Sequence, residues 1–87
     1  MRRRLQWAPR ARTDLDSIGR STPVMAGRIR ASMQRFAREN VGDVVKLAGQ
    51  GGLYRLRVGD WRVIFTYEDD DLVVLALRVL NRRDAYR

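Results

Sequence analysis

Two runs of alternating residues meet across Gly59-Asp60, and that junction constrains the fold more than any other part of the 87-residue chain. Leu53 to Val58 and Trp61 to Tyr67 each repeat with a period of two, the pattern of a half-buried strand. A two-residue connection that begins with glycine signals a tight hairpin, because its turn needs positive φ. Such a turn fixes register: the spacing predicts Val58 opposite Trp61, Arg57 opposite Arg62, Leu56 opposite Val63 and Arg55 opposite Ile64. Tyr54, Leu56, Val58, Trp61, Val63, Phe65 and Tyr67 then share the face that packs on helices, while Arg55, Arg57 and Arg62 share the other.

The flanking segments supply the partners for that face. Arg3 to Trp7 alternates and reads as a first strand. Pro9 suits a first helical turn, and Ala11, Leu15 and Ile18 form one stripe before Gly19 ends the segment. Ser21 or Thr22 followed by Pro23 reads as an N-cap, and Met25, Ile29, Met33, Phe36 and Ala37 recur at helical spacing until about Asn40, with Gly42 beyond. Lys46 to Gly52 reads as loop, and Glu68 to Asp71 as an acidic turn. Leu72 to Leu80 is apolar enough to predict a central strand covered on both faces. The expectation is one α+β domain spanning 1–87, with two N-terminal helices packed on one face of a small antiparallel sheet, in the order β-α-α-β-β-β.

Charge says what such a domain could meet. The formal net charge is +8 and the pI about 11.4, so a polyanion is the first partner to consider. Of the 18 basic residues Lys46 alone is lysine; arginine grips phosphate through a planar fork of donors, although a GC-rich genome also enriches it. The absence of Cys and His excludes disulfides, thiolate or imidazole metal sites, Cys nucleophiles and every His-based proton transfer. A carboxylate metal site has no support in the spacing, and no cofactor is expected. Met1-Arg2-Arg3-Arg4 imitates the start of an export signal, but Pro9 and Arg10 follow too soon, and no stretch approaches the roughly 20 apolar residues that span a bilayer. A cytoplasmic location without membrane contact is expected.

Arg57 opposite Arg62 costs some tenths of a kcal/mol unless an anion lies between them. Two readings stay open: the guanidinium groups bind phosphate, or they splay into water and pair with Glu68, Asp69, Asp70 or Asp71. Arg78, alternating with Val74 and Ala76 away from Leu75 and Leu77, is placed on the same face as the hairpin arginines. Beyond the last strand come Asn81, Arg82, Arg83, Asp84, Ala85, Tyr86 and Arg87. Tyr86 can stack on a base or pin the tail to the domain.

The string Leu53-Tyr-Arg-Leu-Arg-Val-Gly-Asp-Trp-Arg-Val-Ile-Phe and the ending Asn81-Arg-Arg-Asp-Ala-Tyr resemble the RelE/ParE toxin superfamily. So do Ala8-Pro9-Arg10-Ala11, Asp14-Leu15 and Lys46-Leu47. The resemblance implies the same fold and a toxin of a type II toxin–antitoxin pair; RelE-type members cut mRNA in the ribosomal A site, whereas ParE-type members poison DNA gyrase. For a RelE-type endoribonuclease it implies catalytic roles for Arg55, Arg57, Arg62, Arg82 and Tyr86, RNA binding by Lys46, Arg78, Asn81 and Arg83, and no metal. Arg55, Arg57 and Arg62 would clamp the scissile phosphate, Arg82 would stabilise the leaving side, and Tyr86 would orient the neighbouring nucleotide. The chain departs from that pattern where some members have lysine in place of Arg57 and many have histidine in place of Asn81, so the general base is unassigned. Implied partners are the ribosome with its mRNA and a cognate antitoxin whose acidic segment covers the arginines in a hetero-oligomer. The alternatives are a ParE-like gyrase inhibitor and a catalytically weak member that binds RNA or only its antitoxin.

Overall fold

A computed structural model describes residues 2–49 and 51–85. The chain runs β1 (Arg4–Trp7), α1 (Pro9–Ser21), α2 (Pro23–Glu39), β2 (Val44–Lys46), β3 (Tyr54–Val58), β4 (Trp61–Glu68), β5 (Val73–Asn81) and α3 (Arg82–Ala85). The strands form one sheet in the order β1-β5-β4-β3-β2. The α+β architecture and the two N-terminal helices agree with expectation. The sheet, however, is mixed rather than antiparallel, because β1 pairs with β5 in parallel. It also has one strand more than expected: the three residues of β2 pair with β3 as Val44↔Leu56, Val45↔Arg55 and Lys46↔Tyr54, a run too short to show a period.

The two helices form a hairpin joined at Thr22. α1 continues through Gly19 to Ser21 instead of stopping there. Gly19 faces Ala26 of α2, where a Cβ would meet the alanine methyl at 3.8 Å, an ordinary contact distance, so the glycine sits inside the helical hairpin and does not terminate α1. Thr22 occupies the N-cap position of α2 without capping it; its hydroxyl donates back to the Ile18 carbonyl at 3.1 Å and closes α1. α2 ends at Asn40, which takes the left-handed conformation and donates its N–H to Phe36 O.

Between the layers, Ala11, Leu15 and Ile18 of α1 and Ile29, Met33 and Phe36 of α2 meet Leu56, Val63, Phe65 and Val74 of the sheet, all buried. Phe65 anchors an aromatic cluster, its ring centroid 5.2 Å from Phe36 and 5.6 Å from Tyr54.

The hairpin register is the expected one, from Val58↔Trp61 to Arg55↔Ile64, with Gly59 at φ +60°. The last strand is different. β4 holds the centre of the sheet and β5 the position next to β1, and Leu75, Leu77 and Leu80 are only half-buried, so β5 is neither central nor doubly covered. A bulge between Ile64↔Arg78 and Phe65↔Ala76 inserts Leu77 and reverses side-chain parity. Val74 and Ala76 consequently lie in the core with Val79, and Arg78 does not share their face as the simple alternation suggested. Among the described residues, no helix is long and apolar enough to cross a membrane.

Candidate nucleic-acid interface

The tight turn places Arg57 directly across from Arg62, and the chain meets the repulsion with a backbone oxygen. Arg57 Nε donates to the Gly59 carbonyl at 3.2 Å, and Arg62 Nη1 donates to the same oxygen at 3.4 Å and to Trp61 O at 3.4 Å. These are long hydrogen bonds to a neutral acceptor, enough to orient the forks and weaker than a charged phosphate oxygen would provide. The two side chains differ in access. Arg57 is exposed, whereas Arg62 is only 4% exposed, the one buried charged side chain among the described residues. Arg55, on the same face, donates through Nη1 to the backbone oxygen and Oδ1 of Asp43, each at 3.4 Å, and is 20% exposed.

The end of β5 joins this hairpin tip. Trp61↔Asn81 is the last pair of the β4–β5 ladder, and the Arg82 N–H donates to Asp60 O at 2.7 Å, stitching α3 to the turn. Asn81 Oδ1 accepts the Arg83 N–H at 3.3 Å. Asp60, Asn81, Arg82 and Arg83 line an open cavity of about 440 Å³, with Arg82 and Arg83 exposed. The structure thus brings Arg57, Asn81, Arg82 and Arg83 to one end of the sheet around the Gly59-Asp60 turn.

Two other expected site residues lie elsewhere. Lys46 pairs with Tyr54, on the helix-facing side by parity, so it does not share the face of Arg55, Arg57 and Arg62. Arg78 pairs with Ile64 and belongs to the arginine face by register, but its guanidinium is engaged at the sheet margin by Asp14, with Nε–Oδ2 at 2.9 Å and Nη2–Oδ1 at 3.3 Å. Tyr86 lies outside the described residues. Glu68, Asp69, Asp70 and Asp71 form no ion pair with Arg55, Arg57 or Arg62 among the described residues; Asp43 pairs with Arg55 and Asp14 with Arg78. Nothing in the sequence links positions 14 and 78 or 43 and 55, since those contacts cross elements.

No group of three or more metal-ligating side chains exists among the described residues. Away from the interface, burial pushes the Tyr67 hydroxyl above its ordinary range, and the Arg3 guanidinium, 4.9 Å from the ring centroid, offsets part of that rise. The arginine face can therefore hold an anion and stabilise developing negative charge, and proton transfer at neutral pH finds no histidine in the chain to perform it.

Comparison with known proteins supplies the family. The profile of the "ParE toxin of type II toxin-antitoxin system, parDE" matches residues 5–86. A chain of the archaeal RelE–RelB complex from Pyrococcus horikoshii OT3 is 30% identical, with a TM-score of 0.74, over 94% of this chain and 97% of that one. A chain of the RelB–RelE antitoxin–toxin complex from Methanococcus jannaschii is 24% identical, with a TM-score of 0.72, over 93% and 94%. A mutant of the E. coli toxin RelE in the free state shares the fold at 16% identity, with a TM-score of 0.75, over 99% and 90%. No curated protein sequence matches. The profile spans almost the whole chain and the archaeal relative is alike over nearly its full length: this chain belongs to the RelE/ParE toxin superfamily of type II toxin–antitoxin systems.

Proposed function

We propose that this toxin arrests translation in the cytoplasm as a metal-free, ribosome-dependent endoribonuclease acting on mRNA. One observation carries the reading: Arg57 and Arg62 stand in register at the hairpin tip, turned toward a single carbonyl oxygen, with Asn81, Arg82 and Arg83 stitched beside them. Arg57, exposed, grips a non-bridging phosphate oxygen. Arg62, buried, acts through the turn by holding the Gly59 carbonyl. Arg82 stabilises the leaving side, Arg83 and Asn81 contact flanking backbone, and Arg55 adds positive potential from beside Asp43. Tyr86 would stack on or orient the flanking nucleotide, and Lys46 and Arg78 have at most an accessory electrostatic part.

The chemistry is attack of a 2′-hydroxyl oxygen on the adjacent phosphorus. The P–O5′ bond breaks, giving a 2′,3′-cyclic phosphate and a 5′-hydroxyl, and the proton lost from the 2′-oxygen is balanced by one gained at the 5′-oxygen. Arginine stabilises the charge of the phosphorane but cannot take up that proton, since its guanidinium stays protonated. Positioning and electrostatics therefore provide most of the catalysis, and ribosomal RNA groups complete the proton transfers, so free RNA is cut poorly. A cognate antitoxin with an acidic segment silences the site by covering the arginines in a hetero-oligomer. The Pyrococcus relative, whose structure contains RelE with RelB, supports that partner.

The match to the ParE profile favours a second reading, inhibition of DNA gyrase through protein contacts. Induction of the toxin decides between them. Translation arrest with cuts in mRNA, reduced by about two to three orders of magnitude in Arg57→Ala as for loss of one transition-state donor, is the expected result. DNA breaks with intact mRNA, or full cutting by a folded Arg57→Ala variant, would overturn the assignment.

A further inference from the structure

β1 covers only the first half of β5. The parallel ladder runs from Arg4↔Val73 to Trp7↔Ala76 and closes with the Ala8 N–H on Ala76 O at 2.8 Å, after which Pro9 turns the chain into α1. Among the described residues no strand pairs with the outer edge of β5 beyond Ala76. Where the next strand's carbonyl would stand, α1 presents a carboxylate: Asp14 Oδ2 accepts the Val79 N–H at 2.8 Å, while the same carboxylate grips Arg78 at 2.9 and 3.3 Å. The Asp14 side chain is only 18% exposed.

The bulge at Leu77 gives this contact its importance. A bulge can be lost by a one-residue slip, and a slip of one residue sends every side chain beyond it to the opposite face. Here that would expel Val79 from the core and move Asn81, Arg82 and Arg83 along the sheet relative to Arg57. The bridge itself lies at the open margin of the sheet, above the buried Ile18 and Val79. Cavities of about 340 Å³, lined by Pro9, Arg10, Thr13, Asp14 and Arg78, and about 180 Å³, reaching Trp61 and Asn81, lie on either side of the bridge.

We infer that Asp14 is a positioning residue for the basic end of the sheet: its carboxylate stands in for the missing strand, pins the bulge through Val79 and so sets where Asn81, Arg82 and Arg83 stand opposite Arg57. The consequence for cutting rests on the nuclease reading above. The pinning itself does not.

The test compares Asp14→Ala, Asp14→Asn and Arg78→Met with the intact toxin. Amide hydrogen exchange is followed by NMR, and single-turnover mRNA cutting is measured on programmed ribosomes. In Asp14→Ala the Val79 amide exchanges about ten- to a hundredfold faster, as for a lost charge-assisted hydrogen bond, while Val73 to Ala76 keep their protection. The cutting rate falls about tenfold or more with ribosome affinity unchanged. Asp14→Asn retains an oxygen acceptor and preserves most of both, and Arg78→Met leaves Val79 protected. The inference fails if exchange rises equally in both halves of β5, if Val79 stays protected in Asp14→Ala, or if that variant cuts at the normal rate. If the intact toxin cuts no mRNA, the nuclease reading falls and the exchange contrast alone decides the pinning.

Discussion

Replacing Arg62 by alanine separates two things that sequence alone merges, a phosphate ligand and a piece of the fold. The side chain is 4% exposed and donates to Gly59 O and Trp61 O at 3.4 Å. Alanine removes two methylenes of buried stem, worth about 0.8 kcal/mol each, together with hydrogen bonds to a charged donor worth about 1.5 kcal/mol. Relief from burying a cation next to Arg57 offsets part of this, leaving a net loss of about 2 kcal/mol. For a domain of this size that corresponds to a fall of roughly 8–16 °C in Tm. Methionine keeps the stem and deletes the charge, so Arg62→Met should remain within about 1 kcal/mol of the parent. Urea titration followed by far-UV circular dichroism measures both variants, with mRNA cutting assayed at a temperature where each is folded. Arg57→Ala, at an exposed site, should keep its urea midpoint while losing activity. An Arg62→Ala midpoint equal to that of the parent would refute the reasoning, because it would mean the guanidinium contributes nothing to holding the turn.

Two further perturbations test the frame of the site. Gly59 has φ +60° and open space where a Cβ would stand, its nearest neighbour being Met25 Cε at 3.7 Å, so Gly59→Ala introduces strain without a clash. A loss of about 1 kcal/mol in urea unfolding is expected, and asparagine, which tolerates the left-handed region, should recover part of it. Tyr67 carries a pKa raised in the folded state by burial. Its contribution to stability is complete below the unfolded value near 10 and is lost as pH rises through the folded value. The urea midpoint should therefore drop between pH 9 and pH 11 in the parent and drop less in Tyr67→Phe; equal drops would show that the hydroxyl is not the titrating group.

The hairpin was legible because its constraints are local. A two-residue turn with glycine leaves one register, and alternation on both sides assigns each side chain to a face, so Arg55, Arg57 and Arg62 could be grouped without coordinates. The helix stripes of Ala11, Leu15 and Ile18 and of Ile29, Met33 and Phe36 were legible for the same reason, a period set by backbone geometry. Periodicity was misleading where a neighbour changed the count. Leu72 to Leu80 is apolar at every position but Arg78, and neither its place beside β1 nor the bulge at Leu77 is written in that run, because both arise from pairing with segments distant in sequence.

By itself, then, the sequence determined the class of fold, the hairpin register and a cationic surface, all consequences of short-range sterics and charge count. Tertiary structure decided which cations are available. Asp14 claims Arg78, Asp43 claims Arg55 and the close turn buries Arg62, whereas Arg57, Arg82 and Arg83 remain exposed around the Gly59-Asp60 tip. A guanidinium reports its charge in the sequence, but its accessibility depends on which carboxylate or carbonyl the folded chain brings within about 3 Å of it, and that is set by contacts between residues tens of positions apart.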